Sequence, residues 1–141
     1  MAKPGRDAYG DTHNMINIKD HKTLIGMLSV PFHPTLIELI LWFCVRFSQT
    51  TFTSSYRKDD SGVHGTIPCR GMDIRSKYFR DPQTVVDEIN HHWEYDFNRP
   101  EKKCAVYHNA GFGPHIHLQV HNNTKRGEIS WQKVKESTQT T

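Results

Sequence analysis

The chain has 141 residues, with 18 Lys and Arg against 15 Asp and Glu and a formal net charge of +3. That length suits one domain with one core, and 35% hydrophobic with 11% aromatic residues excludes a chain disordered throughout. So small an excess of positive charge, spread along the sequence, does not by itself point to nucleic acid.

Residues 1–20 are polar, rich in Gly, Asp and Asn, and read as a loose arm without the apolar stretch of a secretory signal. The run from Pro34 to Phe47 is expected to be a buried helix: Pro34 suits a first turn, and Leu36, Ile40, Phe43 and Phe47 recur at helical spacing. Its most apolar part, Leu36 to Phe47, is only about twelve residues long and contains Glu38 and Arg46, too short to span a membrane. Thr50 to Arg57, dense in β-branched and aromatic residues, predicts a strand. Lys58 to Cys69, with its Asp, Gly and Pro, predicts an extended loop. A short strand follows over Arg70–Arg75, with Met72 and Ile74 on one face and Asp73 and Arg75 on the other. Gln83 to Tyr95 reads as a helix with Val85, Val86, Ile89 and Trp93 in one stripe. The last regular part is a hairpin, 103–108 returning as 115–121 through a turn rich in Gly and Pro. A single domain over residues 21–135 and a disordered tail over 136–141 complete the expected organisation. The fold class is α+β, an antiparallel sheet flanked by helices.

Cys44, Cys69 and Cys104 are odd in number and form no CxxC pair. They read as small buried hydrophobes in a reducing, cytoplasmic compartment.

The chain carries a surplus of histidine, ten in all, and the segment from His115 to His121 concentrates it. Alternation buries Ile116, Leu118 and Val120 and places His115, His117, Gln119 and His121 on the other face. Imidazoles two apart on a strand lie about 7 Å from each other, close enough to serve one metal; a polar solvent face that merely contains histidines has the same pattern. Asp73, a lone carboxylate among Gly71, Met72 and Ile74, calls for a compensating cation or donor. His64 lies in a Gly-rich loop able to fold back beside it. Two neutral imidazoles and one carboxylate would give a net 1+ site with Zn²⁺ and leave a fourth position open, as in catalytic zinc centres. His108, at the end of the partner strand, reaches toward the same cleft, with Arg70 and Arg75 as further cleft-side candidates. His91 and His92 read as a solvated helix face.

The runs Ser54-Ser-Tyr-Arg57, Ser61-Gly-Val-His64-Gly65, Asp73-Ile74 and His115-Ile-His117, in that order, resemble the LAS-type zinc peptidases. That group joins lysostaphin-like endopeptidases, D-alanyl-D-alanine metallopeptidases and the Hedgehog signalling domain, and the likeness covers roughly residues 50–120, about half of the chain. It implies a Hedgehog/DD-peptidase-like fold, zinc held by His64, Asp73 and His117, His115 as a non-ligating catalytic histidine, and a substrate side formed by Arg57 and Ser61; His108, from its place on the partner strand, is the further catalytic candidate. It also implies hydrolysis of an amide bond in a small peptide, above all a peptidoglycan peptide, as in a phage lysin released by other means to act on the cell wall. The chain departs from the D-alanyl peptidases in a longer spacing from His64 to Asp73 and in Pro114, which stands where their catalytic Glu falls; the chemistry expected is that of the His-x-His branch.

Two further classes share the His-x-His signature. Rolling-circle nucleases use it to hold a divalent metal and attack DNA with a tyrosine; no tyrosine follows Tyr107 here, which leaves Tyr56 and Tyr78 in the relaxase order, and the thin basic charge makes a nucleic-acid partner the weaker expectation. A non-catalytic zinc-binding module, as in the Hedgehog branch, is the third.

Overall fold

A computed structural model describes residues 15–109 and 113–127. Its frame is a five-stranded sheet in the order β1-β2-β3-β6-β5, formed by β1 (Met15–Ile18), β2 (Gln49–Ser54), β3 (Gly71–Arg75), β5 (Ala105–His108) and β6 (His115–Gln119). Three helices accompany it, α1 (His21–Ser29), α2 (Pro34–Arg46) and α3 (Pro82–His92), and a small two-stranded sheet pairs β4 (Trp93–Glu94) with β7 (Lys125–Arg126). The α+β class stands, but the sheet is mixed: β1 runs parallel to β2, while the β2–β3, β3–β6 and β6–β5 pairs are antiparallel. The parallel pair arises because α1 and α2 both intervene between β1 and β2, and a crossover that long returns the chain in its original direction.

The two longer helices start where capping chemistry tells them to. Pro34 and Pro82 sit in first turns, preceded by His33, whose Nδ1 accepts from the Thr35 amide, and by Asp81, whose carboxylate accepts from Thr84. α2 ends at Arg46, one residue short of the expected run, with Phe47 in extended conformation as its cap. α3 stops at His92, three residues earlier than expected, because Trp93 and Glu94 are drawn into pairing with Arg126 and Lys125. β2 stops at Ser54, so that Tyr56 and Arg57 belong to the loop beyond it.

The first twenty residues are not all a loose arm: Met15–Ile18 form β1 and Asp20 caps α1, accepting from the Thr23 amide at 2.9 Å. Residues 1–14 lie outside the described residues, as do 110–112 of the hairpin connection and 128–141, which include the expected tail.

Period-two alternation sorts the central strands as expected. Phe52, Met72, Ile74, Ala105, Ile116 and Leu118 join Leu36, Leu39 and Phe43 of α2 and Val85, Val86 and Ile89 of α3 in one core. Leu36, Leu39, Phe43, Ile74, Ile89, Ile116 and Leu118 are all fully buried. Transfer of such side chains from water, about 1.5–3 kcal/mol each, holds the sheet against the helices. All three cysteines are buried and unpaired, and burial pushes the Cys104 thiol up to about 12. Among the described residues no helix is long and apolar enough to cross a membrane.

Candidate metal centre

The opposite face of the sheet carries the polar groups. Register sets Asp73 directly across from His117 and Arg75 across from His115, while His108 pairs with His115 on the other side of β6. Three neighbouring strands thus present Asp73, His117, His115 and His108 to one region. Between Phe52 and Ser54 the β2–β3 register shifts, so that Ser54 rather than Thr53 faces Asp73. A bulge of this kind bends the strand away, and the chain beyond it passes over the polar face.

That overlying segment brings in His64, from a single 3-10 turn at Val63–Gly65. His64 is 4% exposed and Asp73 5%. His64 Nε2 lies 3.1 Å from Asp73 Oδ1, and His117 Nδ1 lies 2.9 Å from the same oxygen. The two nitrogens and the oxygen all fall within 4.8 Å of one another.

The tautomer of His64 shows what this arrangement suits. Its Nδ1–H donates to the Ser55 carbonyl at 2.8 Å. In the neutral ring the other nitrogen then carries a lone pair, and that lone pair faces a carboxylate oxygen. Two acceptors held this close in a buried place require a positive charge between them. Burial pushes the Asp73 carboxyl up, but the His117 and His64 rings outweigh it and hold the carboxyl well below the usual range, keeping it ionised. Two imidazole nitrogens and one ionised carboxylate form a donor set that can hold a metal ion, with a further coordination position left for a small molecule.

His115 stands beside this group without joining it. Its Nδ1–H donates to the Gly113 carbonyl at 3.1 Å, and its Nε2 lies 3.8 Å from Asp73 Oδ2. Gly113 has φ +114°, a conformation that favours glycine. The His108 ring lies 5.3 Å from that of His115 and 5.6 Å from that of His117. Partial desolvation and the two neighbouring imidazoles push its pKa down, toward the neutral form at pH 7.

A cleft of about 410 Å³ opens next to the group, bounded by Asp73 and His115 on the sheet and by Lys22 of α1, with Arg57 and Arg75 in its wall. Arg57 is also paired with Asp60 at 3.0 Å. The remaining sequence candidates are dispersed. Ser61 is exposed on its loop and is absent from the cleft lining. Arg70 hydrogen-bonds the Val120 carbonyl. His121 lies beyond the end of β6, stacked near Tyr95 and 3.7 Å from Asp96, and His92 packs against Trp42 instead of sharing a wholly solvated face. Tyr56 lines the cleft, whereas Tyr78 does not.

Several residues that shape the site have no chemical signature in the sequence. Ser55 acts through its backbone carbonyl. Gly26 lets α1 approach closely, since a Cβ there would lie 2.3 Å from Ser55 Oγ and 2.7 Å from the Tyr56 carbonyl oxygen. Only the short polar run before Arg57 hinted that this segment matters. No family model, curated protein or solved structure matches the chain.

Proposed function

We propose that the protein is a zinc-dependent peptidase of the Hedgehog/DD-peptidase kind, hydrolysing an amide bond in a peptidoglycan peptide or similar small peptide. The observation that carries this is the convergence of His64 Nε2, Asp73 Oδ1 and His117 Nδ1 in a buried group beside an open cleft. A structural zinc would normally close its shell with a fourth protein ligand, often cysteine, and all three cysteines lie buried with raised thiol pKa values. The order of the motifs, which resembles that of LAS-type zinc peptidases, supports the same assignment.

His64, Asp73 and His117 would hold the ion. When bound, zinc supplies a Lewis acid that polarises the scissile carbonyl and brings the pKa of a coordinated water to about 7. The protein's own groups do the rest. Because its Nδ1–H is committed to Gly113, His115 offers a free Nε2 toward the site. There it accepts the proton of the attacking water and returns it to the leaving amine. His108 does not line the cleft; its ring lies 5.3 Å from that of His115 and 5.6 Å from that of His117, and it would act on the site only through those two histidines. Arg57 and Arg75, on the cleft wall, bind a carboxylate of the substrate.

The grouping of His117 with His64 and Asp73, instead of with His115 as a two-histidine metal clamp, favours a peptidase over a nuclease. The test is digestion of purified peptidoglycan stem peptides by the zinc-loaded protein, followed by mass spectrometry. Cleavage that stops with a chelator and returns with zinc is expected. No cleavage by zinc-loaded protein would refute the activity.

A further inference from the structure

His117 makes a second contact that the metal centre does not account for. Its Nε2 lies 3.1 Å from Gln119 Oε1, two residues along the same strand face. The Gln119 amide is itself held: its Nε2 donates to the Lys103 carbonyl at 2.8 Å. Turned the other way, the amide would set oxygen against oxygen at Lys103 and offer His117 a donor. The backbone fixes the same neighbourhood, because the Gln119 amide N–H donates to the Cys104 carbonyl at 2.8 Å.

We propose that Gln119 is a positioning residue for the metal centre, one that locks His117 into the Nε2–H tautomer and so aims the Nδ1 lone pair at the ion. The chain of contacts runs from the Lys103 carbonyl through the Gln119 amide and the His117 ring to the site. It mirrors the restraint on His64, where the Ser55 carbonyl takes the Nδ1 proton. The two histidines therefore ligate through opposite nitrogens, each set by an acceptor behind the ring. An acceptor of this kind fixes ring orientation and raises ligand basicity, and its loss typically costs about 10–100-fold in metal affinity. The role rests on the metal centre proposed above but not on any peptide substrate.

The test uses zinc alone, titrated into wild type, Gln119→Leu and Gln119→Glu against a chelating indicator. NMR of the zinc-loaded proteins then follows the His117 Nε2–H proton. Gln119→Leu removes the acceptor and should weaken zinc binding by about 10–100-fold, with loss of the hydrogen-bonded Nε2–H resonance. Gln119→Glu keeps an oxygen able to face His117 but loses the donor to the Lys103 carbonyl, so it should retain the resonance and lose less zinc affinity than Gln119→Leu. Equal affinity in wild type and Gln119→Leu, with both folded, would overturn the lock while leaving the metal centre standing. Equal loss in the Glu and Leu variants would also overturn it, since an acceptor that remains beside His117 should rescue part of the binding. Failure of wild type itself to bind zinc would refute the centre and the lock together.

Discussion

Gly26→Ala should do the opposite of what a glycine-to-alanine change in a helix interior ordinarily does. Gly26 is the sixth of nine residues in α1, where alanine is normally favoured by about 0.5–1 kcal/mol. Here a Cβ would stand 2.7 Å from the Tyr56 carbonyl oxygen and 2.3 Å from Ser55 Oγ. Restoring ordinary contact at 3.4 Å moves the helix and the 55–56 segment apart by about 0.7 Å. Ser55 Oγ, closer still to the new Cβ, must turn aside and so gives up the hydrogen bond that it donates to the Thr23 carbonyl at 2.8 Å, at a side chain only 2% exposed. Overpacking of this kind costs about 1–3 kcal/mol, and a lost buried hydrogen bond adds to it. The net effect should be a destabilisation of about 1–2 kcal/mol, a fall in Tm of roughly 3–8 °C for a domain of this size. The same shift acts on the Ser55 carbonyl, which sits 2.8 Å from His64 Nδ1. Moved by about 0.7 Å, that bond approaches the limit of a useful hydrogen bond, and zinc affinity should drop about tenfold or more. Thermal unfolding and zinc competition, run on the same preparations, read both consequences. A Tm that rises with unchanged zinc affinity would refute the idea that α1 packing sets the position of His64.

Two other outcomes follow from particular contacts. His115→Ala should bind zinc like wild type and lose about 10²–10⁴-fold in peptide turnover; loss of zinc would show that His115 is a ligand and not the proton acceptor. Asp96 is buried, and the Asn98 amide, followed by Arg99 and Asn123, lowers its pKa to about 2 against the pull of burial. A carboxyl depressed in the folded state contributes stability above its ordinary value near 3.8 and loses it as pH falls through about 2. Asp96→Asn should therefore melt lower than wild type at pH 7, with the gap closing between about pH 4 and pH 2; a gap that stays constant over that interval would contradict it.

The strongest periodic signals were legible in the sequence because burial enforces them. A one-residue slip of β6 would exchange Ile116 and Leu118 for His115 and His117 at the core, so alternation alone identifies the polar face. The same holds for the stripe of Val85, Val86 and Ile89 in α3. What escaped was structure without periodicity. Residues 21–29 carry exposed Ile25 and Leu28 and bury only Thr23 and Gly26, so α1 shows no apolar stripe from which to predict it. β1, four residues with one of them partly buried, is held by backbone pairing to β2, which leaves little side-chain trace. The candidate site divides the same way. Asp73 and His117 were visible as polar residues on strands whose other face is apolar. The Ser55 carbonyl, the room at Gly26 and the Lys103 carbonyl behind Gln119 are backbone features, and the bulge beside Asp73 decides where they fall.

Metal content by elemental analysis, on wild type beside His117→Ala, bears most directly on the proposed centre. About one zinc per chain is expected in wild type, and none in the variant, which removes one of the three converging donors. Absence of metal from wild type, even after zinc is added back to folded protein, would contradict the account at its root.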